Sequence, residues 1–179
     1  RSPYHGFSIE FAEHREYTPG DDLRYLDWKV FGRTDKFYLK QFEEETNLVC
    51  YLLLDSSESM SYQSPESPWT KLEYAQTMAA ALAYLVLAQQ DSVGLVTFDE
   101  VVRNMVRPGG HPSHFKEIVH GLEQIRPEGK THMAGLLHEL AERFHRRGLV
   151  VVLSDFFDDA DSLLRALAHF RHRRHDVIL

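Results

Sequence analysis

Asp55, Ser57 and Ser59 form an Asp-x-Ser-x-Ser run in which one carboxylate and two hydroxyls recur at every second residue, directly after the apolar stretch Leu48-Val-Cys-Tyr-Leu-Leu-Leu54. One charged oxygen donor beside two neutral ones suits a hard cation such as Mg2+ better than zinc, which favours Cys and His. Asp and Ser also favour turns and helix caps, so the run alone is compatible with a plain polar turn. Two further apolar stretches end in Asp: Val93 to Asp99, and Leu149-Val-Val-Val-Leu-Ser154-Asp155. If these stretches are parallel strands, all three carboxylates share one edge of the sheet. Two of them on neighbouring strands can then hold one cation, whereas Asp99 reads as a turn residue outside the site.

The elements that position these groups follow from hydrophobic patterning. An uninterrupted apolar run suits a strand covered on both faces, as in a parallel α/β sheet. Open sheets of that kind bind ligands at the carboxyl ends of their strands. From Leu48 onward, strands at 48–55, 92–99, 101–107, 149–155 and near 176 alternate with helices at about 70–90, 112–125, 132–146 and 159–172. This predicts an α/β fold, a doubly wound, mostly parallel sheet flanked by helices. Thr70-x-x-Glu73 is a capping-box start for the first long helix. Its apolar positions Leu72, Ala75, Met78, Ala79, Leu82, Leu85 and Val86 broaden into an all-round apolar run, expected to cover the centre of the sheet. Residues 1–47 are polar, aromatic and turn-rich, with a possible strand at 37–42, and read as an N-terminal arm preceding a domain at 48–179. In the arm, Arg15, Asp21, Asp22, Arg24, Asp27 and Trp28 could form a recognition surface or an ion-paired clasp that staples the arm to the domain; the clasp is the expectation, anchored by buried Trp28, Phe31, Phe37 and Phe42.

Composition narrows the function. With 179 residues, 43% of them hydrophobic, the chain can bury a substantial core. Its net charge of −7 has the wrong sign for binding nucleic acid through phosphate neutralisation. The one concentrated basic stretch, Arg165 and then His169 to His175, alternates with apolar residues and reads as a solvated helix face. A single cysteine, Cys50, excludes an intramolecular disulfide and reads as core packing, which fits a reducing compartment and a cytoplasmic location. The longest apolar run, Met78 to Ala88, falls well short of the ~20 residues that cross a bilayer. The chain starts without Met and stops at Val177-Ile-Leu179 as a strand barely begun, so the domain is expected to be cut short at its C-terminal end.

Other chemistries fit less well. Gly129-Lys130-Thr131 would end a phosphate-binding loop only with Gly at position 124, where the chain has Gln. A haloacid-type phosphatase would place a second Asp at position 57 as acid/base, and Ser57 cannot fill that role. No Gly-x-Ser-x-Gly elbow is present. His111-x-x-His114 and His169-x-x-His172-x-x-His175 lack grouped Cys or carboxylates and read as surface histidines rather than zinc ligands.

With Asp55, Ser57 and Ser59, then Thr131 in Glu128-Gly-Lys-Thr-His132, then Ser154-Asp155 closing a Val-rich strand, the chain resembles a von Willebrand factor type A domain. The run from Glu10 to Trp28, containing Tyr17-Thr-Pro-Gly-Asp-Asp22-Leu-Arg24-Tyr-Leu-Asp27-Trp28, is similar to the signature of the bacterial domain-of-unknown-function family fifty-eight, whose members carry such a domain next. The resemblance implies a metal-ion-dependent adhesion site formed by Asp55, Ser57, Ser59, Thr131 and Asp155. The cation would be Mg2+, with Mn2+ or Ca2+ as alternatives. Gly-Lys-Thr stands here where many such domains have Gly-Gly-Thr. The resemblance also implies a non-enzymatic interaction module, a partner or adaptor of a MoxR-type AAA+ ATPase in protein assembly or maturation. A protein partner would contribute an Asp or Glu to the cation. The alternative is a Mg2+-dependent phosphohydrolase using the same Asp55 crest.

Overall fold

In the computed structural model, which describes residues 8–45, 48–129 and 133–179, the chain divides into two compact units, residues 1–47 and 48–179. In the first, strand β1 (Ser8–Glu16) pairs antiparallel with β2 (Tyr38–Glu45), with a bulge between Phe11 and Glu13. Between them lies the short helix α1 (Trp28–Thr34). Asp27, only 6% exposed, caps α1 by accepting from the backbone N–H groups of Lys29 and Val30 at 2.9 and 3.2 Å. Its other oxygen lies 2.9 Å from His14 Nε2. Arg15 pairs with Asp21 at 2.7 Å and Arg24 with Asp22 at 2.6 Å, so these ion pairs close within the unit. The expected aromatic anchor is corrected: Trp28 and Phe37 are 66% and 44% exposed, and among the described side chains of this unit the buried apolar residues are Leu26 and Leu39. A hairpin and a seven-residue helix enclose little volume, so the rings of Trp28 and Phe37 stay partly at the surface. Phe31 stacks on Phe37 at 4.5 Å, and the Phe42 side chain lies outside the described part.

The second unit is built on β3 (Val49–Asp55), whose seven residues are all buried. It is followed by α2 (Lys71–Ala88), β4 (Ser92–Phe98), β5 (Val102–Gly109), α3 (His114–Glu123), α4 (Met133–Arg143), β6 (Leu149–Leu153), α5 (Ala160–His172) and β7 (Asp176–Ile178). The sheet order is β5-β4-β3-β6-β7, with every pairing parallel except β4 with β5. This is a mixed α/β domain with a mostly parallel central sheet. Cys50, Leu52 and Leu54 face Leu72, Ala75 and Ala79 of α2 and Ile118 and Leu122 of α3. Tyr51 and Leu53 face Leu137 and Leu140 of α4 and Ala166 and Phe170 of α5. Alternate side chains of one strand thus serve opposite cores, which explains why β3 carries no polar alternation. Each such leucine contributes roughly 1.5–3 kcal/mol before entropy is counted. Gly148 is required just before β6, because a Cβ there would overlap the Val49 carbonyl of the neighbouring strand.

The capping box at the start of α2 is formed as expected: the Glu73 N–H donates to Thr70 Oγ1 at 3.1 Å, and the Thr70 N–H donates to Glu73 Oε2 at 2.8 Å. α2 covers the centre of the sheet as expected, but not every position of its apolar run is buried. Leu72, Ala75, Ala79 and Ala83 form its buried stripe, while Met78, Tyr84 and Leu85 are 37%, 62% and 54% exposed. A helix lying on one face of a sheet has a single inward stripe, whatever the residues on its other sides. Cys50 is buried in the core, and burial, reinforced by Asp91, pushes its thiol up to about 12, so it packs as an inert side chain.

Two of the histidines read as superficial are core residues. His114 is buried, its Nε2 2.9 Å from the Val93 carbonyl and its Nδ1 2.9 Å from Glu117. His175, 3% exposed, sits edge-on to the rings of Tyr51, Phe144 and Phe170, and its Nδ1 has no hydrogen-bond partner among the described residues. Burial depresses its pKa below 6.5, opposed in part by the backbone carbonyls of Phe144 and Gly148. The unfolded chain therefore takes up a proton at His175 before the folded one does. The stability this neutral ring contributes is complete above about pH 6.5 and declines as pH falls toward its folded pKa. Urea denaturation at pH 7.5 and 5.5 should show a smaller loss of stability on acidification in His175→Phe than in the wild type.

Candidate metal centre

The chain leaves β3 for β4 on one side and returns through β6 on the other, so the strand order reverses between the carboxyl ends of β3 and β6. Ligands of open α/β sheets bind at such a reversal. Asp55, the last residue of β3, is completely buried. Its Oδ1 accepts from the Ser57 N–H at 2.8 Å, and its Oδ2 accepts from the Ser154 hydroxyl at 2.6 Å, just past β6. Ser154 Oγ in turn accepts from the Phe156 N–H at 3.0 Å. One hydroxyl therefore joins the buried carboxylate to the β6–α5 loop.

Ser57, Ser59 and Asp155 converge on the same spot. Ser57 Oγ lies 3.1 Å from Ser59 Oγ, and Ser59 Oγ donates to Asp155 Oδ1 at 3.3 Å. An octahedral ion with ligands at about 2.0–2.1 Å holds adjacent oxygens about 3.0 Å apart. The oxygens present therefore have the chemistry and nearly the mutual spacing of a hard divalent-cation site. Asp155 Oδ2 accepts from Lys71 Nζ at 2.8 Å. Burial disfavours the charge of Asp155, but the hydrogen bond and charge of Lys71, with help from Ser59 and the Phe157 N–H, hold its carboxyl below the usual 3.8. Thr131 lies outside the described residues. The residues before it are bound to the Asp55 loop: Glu128 N–H donates to the Ser56 carbonyl at 3.1 Å, and Glu58 N–H donates to that of Gly129 at 3.1 Å. After it, Asp158 Oδ2 caps α4 by accepting from the N–H groups of Met133 and Ala134 at 2.7 and 3.3 Å.

Asp99 reaches the same edge but is otherwise engaged. It is buried, accepting from the Val101 N–H at 3.0 Å and from Arg103 Nε at 2.6 Å. Gly129, at φ 75°, presses against it: a Cβ there would stand 3.3 Å from Asp99 Oδ2. Among the described residues, no group of three or more His, Cys, Asp or Glu is arranged to hold a metal, and the cluster found here has two carboxylates with hydroxyls. Two members of the cluster were not picked out from sequence. Ser154 carried a visible signal, a hydroxyl next to the strand-terminal Asp155. Lys71 carried none, because its pairing spans 84 positions.

Fold and crest together define a mostly parallel α/β domain with an oxygen-lined edge at its strand reversal. Residues 13–179 match the family described as "Protein of unknown function DUF58", and the chain belongs to that family. The uncharacterized proteins Rv1480 of Mycobacterium tuberculosis and Mb1516 of Mycobacterium bovis are each 28% identical to it over 178 residues, covering 97% of this chain and 54% of theirs. The chain thus spans about half the length of these curated relatives. Among solved structures, an aerotolerance-related membrane protein from Bacteroides fragilis, carrying multiple mutations to serines, superposes with a TM-score of 0.59 at 19% identity, over 73% of this chain and 65% of that one. The conserved hypothetical protein BatB from Bacteroides thetaiotaomicron gives 0.60 at 17% identity, over 73% and 64%. At such identities the likeness shows the fold alone. Among the described residues of this chain, no helix is long and apolar enough to cross a membrane.

Asp158 Oδ2 satisfies the first two N–H groups of α4. Asp158→Ala should therefore lower stability by about 0.5–2 kcal/mol, the usual range for a lost helix cap. The readout is a lower urea midpoint at unchanged slope.

Proposed function

We propose that this domain is a von Willebrand factor A-like interaction module whose crest binds a divalent cation, Mg2+ foremost, through Asp55, Ser57, Ser59, Thr131 and Asp155. The observation that carries this reading is the Ser57–Ser59–Asp155 oxygen cluster, with its 3.1 and 3.3 Å spacings, beside the buried Asp55. Asp55 and Asp155 offset the charge of such an ion, and the serine hydroxyls complete part of its shell without adding charge. A cation held there by few protein ligands offers an open position to a carboxylate from a protein partner. The residues themselves hold the site rigid: Ser154 and the Ser57 N–H orient Asp55, and Ser59 orients Asp155. Ser57 stands where a phosphohydrolase of haloacid type would need its acid/base carboxylate, which favours binding over hydrolysis. The resemblance to the family's arrangement supports a MoxR-type AAA+ ATPase in the cytoplasm as the partner.

Mg2+ or Mn2+ should raise the melting temperature of the chain, since a ligand that binds only the folded state stabilises it by ~2.7 kcal/mol at 100 times its Kd. Asp55→Ala should abolish the effect. Calorimetry showing no heat of binding at millimolar metal would refute the reading, and Mg2+-dependent release of phosphate from a generic phosphomonoester, lost in Asp55→Ala, would replace it with the hydrolase.

A further inference from the structure

Lys71 is the first residue of α2, and the capping box fixes its backbone at the edge of the crest. Its N–H donates to the Tyr62 carbonyl at 3.0 Å, and its ammonium stands 5.4 Å above the Tyr62 ring. From there Nζ reaches Asp155 Oδ2 at 2.8 Å, while Asp155 Oδ1 faces the serine cluster. The two oxygens of one carboxylate are thus divided between a fixed ammonium and the candidate metal position. Lys71 stands beside that position rather than in it.

The charges decide what such a site accepts. Two carboxylates already balance a divalent cation, so the adjacent ammonium leaves one positive charge in surplus when the cation is bound. The other nearby carboxylates are engaged elsewhere: Asp99 is matched by Arg103 at 2.6 Å, Glu73 is held in the capping box, Asp158 accepts from the first N–H groups of α4, and Glu58 makes no ion pair among the described residues, whereas Lys71, although its side chain is 43% exposed, is held 2.8 Å from Asp155. A partner's carboxylate at the open position restores neutrality, whereas a partner's hydroxyl or amide does not. Building on the cation reading above, we propose that Lys71 is the residue that sets the specificity of this crest for an acidic partner side chain. It weakens the cation bound alone and strengthens the cation bound together with a carboxylate.

The test is calorimetric titration of Mn2+ into the full chain, as wild type, Lys71→Met and Lys71→Arg, each in the absence and presence of acetate as the carboxylate probe. Circular dichroism checks that each variant is folded, and the charge-retaining Lys71→Arg keeps the question answerable should Lys71→Met not fold. Without acetate, Lys71→Met should bind Mn2+ about tenfold tighter than wild type, within the range of ordinary site-to-site coupling. Acetate should tighten Mn2+ binding in the wild type and in Lys71→Arg, and do so much less in Lys71→Met. Equal Mn2+ affinity in wild type and Lys71→Met, an acetate effect that survives the loss of the ammonium, or an acetate effect lost in Lys71→Arg would each overturn the role of Lys71 while leaving the cation site standing. No Mn2+ binding by any of the chains would overturn both.

Discussion

A carboxylate with no solvent exposure terminates a strand whose other residues are all buried, and the crest is organised around satisfying it. An isolated charge buried this way is costly, so its oxygens need partners. Asp55 finds them in the Ser57 N–H, which bends the chain into the Asp-x-Ser-x-Ser loop, and in the hydroxyl of Ser154, just past the strand on the other side of the reversal. One carboxylate therefore ties the turn after β3 to the residue after β6, in addition to the parallel ladder that pairs the two strands. The hydroxyls of Ser57 and Ser59 extend this network to Asp155.

The rest of the domain keeps this arrangement rigid. Alternate residues of β3 are held from the two faces by α2 with α3 and by α4 with α5, so neither the register nor the depth of Asp55 can drift without opening a core. The Asp55 loop is bonded to the backbone of Glu128 and Gly129, and Asp158 after β6 is bonded to the start of α4. Rigid strands that present oxygens at a sheet edge pre-arrange a binding site, which reduces what a ligand must spend on ordering it.

Much of this was legible in the sequence because local and global signals agree there. The unbroken Leu48–Leu54 and Leu149–Leu153 runs announce two-sided burial, and the Thr70/Glu73 pair announces the start of α2. Where signals conflict, the reading failed. β1 reads Ser-Ile-Glu-Phe-Ala-Glu-His-Arg-Glu, too charged to stand out as a strand, and only its pairing with β2, where a strand at 37–42 is expected, reveals it. The apolar outer residues of α2 suggested burial that a single sheet face cannot provide. His114 and His175 looked superficial because histidine is polar, yet each is accommodated by core contacts that appear only in three dimensions. Lys71 is the clearest case: nothing in its neighbourhood along the chain points to Asp155, and only the placement of α2 against the crest brings them together.

The most direct test of the central claim is paramagnetic broadening of backbone amide NMR signals by substoichiometric Mn2+. A cation at the crest should selectively erase the signals of Ser57 to Met60 and of Asp155 to Phe157, leaving those of Leu149 at the far end of β6 and of the last turn of α5 sharp, and added Mg2+ should restore them. Broadening confined to other surfaces, or an unchanged spectrum at the crest, would contradict the assignment of this edge as a cation site.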